Sequence, residues 1–269
     1  MNFNERYGPW AIIAGASEGT GRSFARKVAA RGVSCILIAH DGPLEEVAEE
    51  IRAESGIECI TAKIDLAAPD AFDRILAAVG NREIGLYVAN AGGDASASRF
   101  HHRDFQTWLS LTHLNVVTTM HACHHFGGLM MGRHHGGLLV VNSGACYGGG
   151  SYLAVYSAAK AFLLNFCEAL WAELSPTGVD VLSIVLDRTD TPNFRRLQAK
   201  IGQPMPTDIA SPDDVAEMGL THLGHGPLHN FGLADDEAGP GWHSASARRE
   251  RVKAMSASTM RLYGKTEAQ

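Results

Sequence analysis

Short unbroken apolar runs alternate along this chain with longer stretches in which apolar residues recur every three or four positions. The runs at 10–16 (WAIIAGA), 33–40, 57–66, 84–93, 136–144 and 179–186 (VDVLSIVL) predict six strands. Helical spacing occupies 21–32, 42–56, 69–80, about 103–131 and 152–178. Gly32 and Gly56 close the first two of these helices, and Pro43 opens the second. Strands that are apolar at nearly every position must be covered on both faces. The alternation therefore predicts an α/β fold, a Rossmann-type doubly wound parallel sheet with helices on both faces. After about Leu186 the pattern loosens into segments richer in proline, glycine and charge. Residues 187–269 are expected to include a region that caps the ligand crevice, within a single domain spanning 1–269.

Composition narrows the field without naming a chemistry. A chain of 269 residues, 45% hydrophobic, is long and apolar enough for one sizeable core. A net charge of −6 implies no basic face, so no nucleic-acid partner is expected. Cys35, Cys59, Cys123, Cys146 and Cys167 are scattered, odd in number and mostly inside apolar runs, which predicts reduced core thiols in a cytoplasmic protein. The N-terminal stretch has no basic region followed by a long apolar run, so no secretory signal is expected. No segment approaches the roughly 18 apolar residues that span a bilayer, so no membrane partner is expected. His121, His124 and His125 share one helical face, but there is no H-E-x-x-H and no cysteine pair at zinc spacing, so they are expected to be solvated or interfacial and no metal is expected. The polar run 247–253 (ARRERVK) is expected to be a solvated helix face.

The chemistry sits at three places. The first strand runs into GASEGTG, where Gly15, Gly19 and Gly21 precede a helix, with Ser17 and Thr20 inside the turn. Such a turn lets backbone approach a pyrophosphate at a helix N-terminus, so it marks a dinucleotide site. Further along, Tyr156 and Lys160 are four residues apart in a helical stretch and therefore share a face. An ammonium beside a phenol stabilises the phenolate and lowers its pKa. Ser143, thirteen residues before Tyr156, supplies a second hydroxyl. Together these groups can move a proton to or from a substrate oxygen.

At these spacings the chain resembles the classical short-chain dehydrogenase/reductase family. The glycine turn at Gly15, Gly19 and Gly21 matches, as do Asp65 with Leu66 after the third strand. Asn90, Ala91 and Gly92 follow the fourth strand, with Ala89 in place of the family's first Asn. Asn115, Ser143, Tyr156, Lys160 and Thr191 complete the match, which covers about residues 8–192. The resemblance implies that Tyr156 is the general acid/base and that Ser143 holds the carbonyl oxygen. It implies that Lys160 tunes Tyr156 and binds the nicotinamide ribose, that Asn115 supports a proton-reloading water chain, and that Thr191 meets the nicotinamide amide. The implied activity is NAD(P)-dependent interconversion of a ketone or aldehyde and an alcohol, on a hydrophobic substrate such as a ketosteroid or ketoacyl thioester. A dimer or tetramer through the two long helices is implied as well. An epimerase or dehydratase with retained cofactor, or a non-enzymatic dinucleotide sensor, are the alternatives; the intact Ser143, Tyr156 and Lys160 argue against the sensor.

Two departures stand out. Leu186-Asp187 replaces the usual Pro-Gly, and Gly148, Gly149 and Gly150 loosen the loop that walls the substrate pocket. The choice of cofactor pulls both ways. Ala39 holds the place where NAD-preferring relatives carry an acid, while His40 and Glu18 hold places where NADP-preferring relatives carry a base. Ser17 and Arg22 offer donors; Glu18 and Asp41 oppose a 2′-phosphate. The absent acid tips the expectation toward NADP(H), with His40 among the cofactor-binding residues.

Overall fold

The computed structural model describes residues 1–93, 98–200 and 202–231, together with 246, 247, 249, 250 and 253. In chain order the elements are α1 (Phe3–Tyr7), β1 (Trp10–Ala14), α2 (Gly19–Ala29), β2 (Ser34–Ala39), α3 (Leu44–Ser55), β3 (Cys59–Lys63), α4 (Ala71–Val79) and β4 (Ile84–Ala89). Then follow α5 (Phe105–Thr112), a π-helical turn (His113–Val117), α6 (Thr118–Arg133), β5 (Gly136–Ser143), α7 (Ala154–Leu174), β6 (Val179–Leu186), α8 (Pro192–Lys200), α9 (Pro212–His222) and β7 (Leu228–Phe231). Among the described residues the strands form one seven-stranded parallel sheet in the order β3-β2-β1-β4-β5-β6-β7. The step from β3 back through β1 to β4 reverses the strand order, the Rossmann switch point above which ligands bind.

The unbroken apolar strands follow from burial on both sides. Ala11 and Ile13 of β1 join Phe24, Val28, Val47 and Val215 under α2, α3 and α9. Ile12 and Ala14 point the other way, to Phe72, Ile75, Phe126 and Leu163 under α4, α6 and α7. The period of two is present, but neither face is polar. All five cysteines are buried, and none forms a disulfide. No helix of the described residues is long and apolar enough to cross a membrane.

Three expectations are revised. The long helix expected at about 103–131 runs helically from Phe105 to Arg133, but it carries a π-turn between α5 and α6, where the backbone takes in an extra residue. The tail, expected as a cap, also adds to the scaffold. Residues 212–222 form α9, packed on α2, and β7 adds a seventh strand beside β6. Within 247–253 only residues 247, 249, 250 and 253 are described; Arg249 is not purely solvated, for it donates from Nε to Gly226 O at 3.0 Å and from Nη2 to His225 O at 3.0 Å. An additional short helix, α1, starts at a capping box in which Asn2 and Glu5 bond each other's backbone. It is fastened to the start of β6: Tyr7 Oη donates to Asp180 Oδ2 at 2.6 Å and Arg6 Nη2 to Asp180 Oδ1 at 2.7 Å. This clasp lies at the N-terminal end of the sheet, opposite the crevice.

Candidate active site

The glycine turn forms because side chains do not fit there. A Cβ on Gly21 would lie 1.8 Å from Gly15 O and 2.6 Å from Asn90 Nδ2. Asn90 Nδ2 donates to Gly15 O at 3.0 Å and ties the end of β4 to the turn. Gly15 N and Ala16 N donate to Ile38 O of β2, at 2.7 and 3.0 Å. The turn is thus clamped from both neighbouring strands, and α2 starts at Gly19 with its free N–H groups facing the crevice. Ser17 and Thr20 are buried in the turn, and Gly42 of the β2–α3 loop packs on Ser17.

Around this cradle stand the other family positions. Asp65 Oδ1 accepts from Ala67 N at 2.9 Å, shaping the turn after β3. Leu66 O accepts from Thr118 Oγ1 at 2.8 Å, which fixes α6 to the same turn. Ala91 backs on to Gly15. Thr191 packs over Gly19, and its Oγ1 accepts from Phe194 N at 3.2 Å, so it caps α8 above the glycine turn. His40 is exposed beyond β2. Arg22, expected as a free donor near the ribose, is instead held by Glu50 of α3.

The groups expected to handle protons gather at the C-terminal ends of β4 and β5. Ser143 ends β5, and its Oγ accepts from Ala145 N at 3.3 Å. Tyr156 and Lys160 sit one turn apart on α7, with Lys160 Nζ 5.7 Å from the centre of the Tyr156 ring. Lys160 is buried, 3% exposed, and donates from Nζ to Val141 O at 3.1 Å. Burial pushes its pKa down to about 8, since a cation loses hydration there and nearby groups return only part of it. At pH 7 it still carries its charge. Asn142 holds this part of α7 in place by donating to Lys160 O and Ser183 Oγ, both at 3.2 Å.

Asn115 lies in the π-turn, 1% exposed. Its Nδ2 donates to Leu111 O at 3.0 Å, while its Oδ1 has no hydrogen-bond partner among the described residues. An orphaned buried acceptor marks a place for a ligand or water. It faces Gly92, where a Cβ would lie 2.6 Å from Asn115 Oδ1 and 3.4 Å from Lys160 Nζ. Gly92 has φ +147°, a backbone that side chains rarely tolerate, so only glycine leaves this space open. The side-chain-free cradle at Gly21, the open N-terminus of α2 and the space between Asn115 and Lys160 fit a nicotinamide dinucleotide.

The profile of the short chain dehydrogenase family matches residues 9–202, the span holding this cradle, Tyr156 and Lys160. The chain belongs to that family. Its similarity to a 7beta-hydroxysteroid dehydrogenase of Collinsella aerofaciens is 32% identity over 197 residues, 72% of this chain and 74% of that one. A structure solved in a study of 7beta-hydroxysteroid dehydrogenase stereoselectivity superposes with a TM-score of 0.78 at 25% identity, covering 94% of this chain and all of that one. The fold is also shared with a short-chain dehydrogenase from Sphingobium yanoikuyae in complex with NADPH: TM-score 0.76, 22% identity, 94% and 95% covered. This short chain dehydrogenase is an NAD(P)-dependent oxidoreductase that interconverts ketones or aldehydes and alcohols.

Several residues that shape the site of this short chain dehydrogenase have no family signature in the sequence. Asn142 and the Val141 carbonyl hold Lys160, and only their position beside Ser143 hints at it. Arg99 reaches across the mouth to Tyr152, with Nε 3.4 Å from Oη and the guanidinium 5.6 Å from the ring centre. Tyr152 is exposed and carries φ +71° just before α7. The Leu186-Asp187 step continues the sheet: Asp187 N donates to Phe231 O at 3.3 Å, so this loop leans on β7.

Proposed function

We propose that this enzyme oxidises and reduces a bulky hydrophobic ketone–alcohol pair of the steroid type, with Tyr156 as its proton donor and acceptor. The observation that carries the reading is Lys160: a buried cation held at Val141 O, 5.7 Å from the Tyr156 ring centre, beside an Asn115 acceptor with no partner among the described residues. A bound nicotinamide supplies or takes the hydride. Ser143 Oγ holds the substrate oxygen at the end of β5. Tyr156 Oη gives that oxygen a proton in reduction and removes it in oxidation. The Lys160 ammonium stabilises the phenolate that remains and binds the nicotinamide ribose. Asn115 Oδ1 accepts from the water through which Tyr156 regains its proton.

Gly15, Ser17, Gly19, Thr20, Gly21, Asn90, Ala91 and Gly92 cradle the pyrophosphate side, Asp65 and Leu66 the adenine, and Thr191 the nicotinamide amide. NADP(H) is the preferred cofactor, since Ala39 places no acid at the ribose. The steroid-type substrate rests on the hydroxysteroid dehydrogenases that this chain is similar to and on the wall of the pocket. Side chains added at Gly148 and Gly150 would meet nothing within 4 Å, so this stretch leaves room for a large rigid substrate. The protein is one cytoplasmic domain, in which 187–269 includes the region that caps the crevice; of 232–269 only residues 246, 247, 249, 250 and 253 are among the described residues. It is a homodimer or homotetramer, joined where exposed Phe105, Leu109 and Phe162 lie on the adjacent helices α5 and α7.

A panel read by nicotinamide absorbance tests the substrate class. It contains hydroxysteroids and ketosteroids, a long-chain 3-oxoacyl thioester, and small ketones. Turnover of a steroid with kcat/KM at least about tenfold above the small ketones is expected, since each apolar contact contributes selectivity of that order. Preference for the thioester or the small ketones would refute the steroid reading.

A further inference from the structure

The family resemblance puts a 2′-phosphate beside Ser17, Glu18, His40 and Asp41, and none of these brings a fixed positive charge. Two acids there would favour NAD on charge alone. The fold supplies what the local sequence lacks. Arg196 of α8 comes back across the crevice and forms a two-pronged pair with Glu18, with Nη1 donating to Oε2 at 3.0 Å and Nη2 to Oε1. Its guanidinium also lies within electrostatic reach of Asp41. The neighbouring Arg195 is occupied elsewhere, donating from Nε and Nη2 to Asp190, both at 2.6 Å. Arg22 is held by Glu50. Arg196 is placed by backbone rather than by chance: α8 begins at Pro192, and Thr191 and Pro192 would lie 3.1 and 3.4 Å from a Cβ on Gly19. The helix is seated on the glycine turn, and Arg196 lies just over one turn further along it.

Building on the dinucleotide reading above, we propose that Arg196 is the residue that recognises the 2′-phosphate of NADP(H), leaving Glu18 for the phosphate when that cofactor binds. The exchange is electrostatically reasonable. The pair is solvated, with 61% and 38% of the two side chains exposed, and ion pairs of that kind are weak. A phosphate monoester carries more charge than a carboxylate and takes the same parallel N–H bonds from a guanidinium. With NAD(H) there is nothing to exchange for, and the Glu18 pair persists. Arg196 then separates the two cofactors although it stands 178 residues from Glu18 in the chain.

Fragment binding separates this role from that of a strut holding α8 on the turn. Adenosine 2′,5′-bisphosphate and 5′-AMP, which differ only in the 2′-phosphate, are titrated calorimetrically into wild type, Arg196→Gln and Glu18→Gln. NADP⁺ and NAD⁺ follow in the same way. Arg196→Gln is expected to weaken the 2′-phosphorylated ligands about tenfold and to leave 5′-AMP and NAD⁺ within about twofold. Glu18→Gln, which removes the competitor and a repelling charge, is expected to tighten the 2′-phosphorylated ligands. Equal weakening of both members of each pair by Arg196→Gln would make Arg196 a strut and overturn the proposal. So would weaker 2′-phosphate binding in Glu18→Gln. A wild type that binds 5′-AMP and NAD⁺ but is indifferent to the 2′-phosphate overturns this assignment and the NADP(H) preference, and leaves the dinucleotide reading standing. A wild type that binds none of the four overturns the dinucleotide reading as well.

Discussion

Replacing Lys160 with methionine should make the protein more stable at neutral pH while removing most of its activity. The lysine stem is kept in volume, and only the buried charge goes. In the unfolded chain the amine titrates at its ordinary value of 10.5; in the fold burial lowers it to about 8. A group whose cationic form is disfavoured by folding binds fewer protons in the native state, so its burden on stability is full below pH 8 and fades between pH 8 and 10.5. At about 1.4 kcal/mol per pKa unit, the penalty at pH 6.5 is on the order of 3 kcal/mol, and by pH 9.5 it has fallen to about 1 kcal/mol. Methionine removes it but leaves Val141 O without this donor, a loss of about 1 kcal/mol. Lys160→Met is therefore expected to exceed wild type by about 1–2 kcal/mol at pH 6.5, a few degrees in Tm for a chain of this size, and to lose that advantage by pH 9.5. Urea unfolding of both proteins at the two pH values measures it. A variant less stable than wild type at pH 6.5, with the same difference at pH 9.5, would show that the ammonium is not held against a desolvation penalty and would refute the reasoning.

Further changes probe the cradle, the pH response and the scaffold separately. Gly21→Ala forces a Cβ to 1.8 Å from Gly15 O, so dinucleotide affinity measured by fluorescence titration should fall at least about tenfold, with a stability loss of about 1–3 kcal/mol. Gly92→Ala combines φ +147° with a Cβ 2.6 Å from Asn115 Oδ1; kcat should drop while far-UV circular dichroism stays native, and full activity would remove Asn115 from the proton path. Wild-type activity in the reductive direction should decline as pH rises past about 8, when Lys160 loses its proton, and a flat profile to pH 10 would contradict that coupling. Asp180→Ala strips Arg6 and Tyr7 of their partner at the far end of the sheet, so unfolding should become easier by about 1–3 kcal/mol with kcat unchanged.

What the sequence made legible is what depends on local pattern. Strands such as Val179–Leu186 stand out because both their faces are buried, and the glycine turn stands out because backbone must meet backbone at Gly15 and Gly21. Tyr156 and Lys160 are four apart on an α-helix, so the spacing alone shows that they share a face. The missed features depend on contacts between distant segments or on burial of polar groups. Strand β7 carries His229 and Asn230, each 1% exposed, and so does not look apolar. The π-turn leaves the apolar spacing of 103–131 almost intact, although it turns Asn115 inward. Arg196 meets Glu18 only through the path of the chain after β6, and the depressed pKa of Lys160 reflects packing that no spacing reveals.

The proton-transfer role of Tyr156 is tested most directly by measuring cofactor affinity and turnover side by side in Tyr156→Phe. The ring beside Lys160 remains, and only the transferable proton is lost. NADP⁺ and NAD⁺ should bind the variant as they bind wild type, while kcat on the best substrate of the panel falls by about 10²–10⁴. A variant that binds cofactor normally and turns over near the wild-type rate would contradict the proposed chemistry.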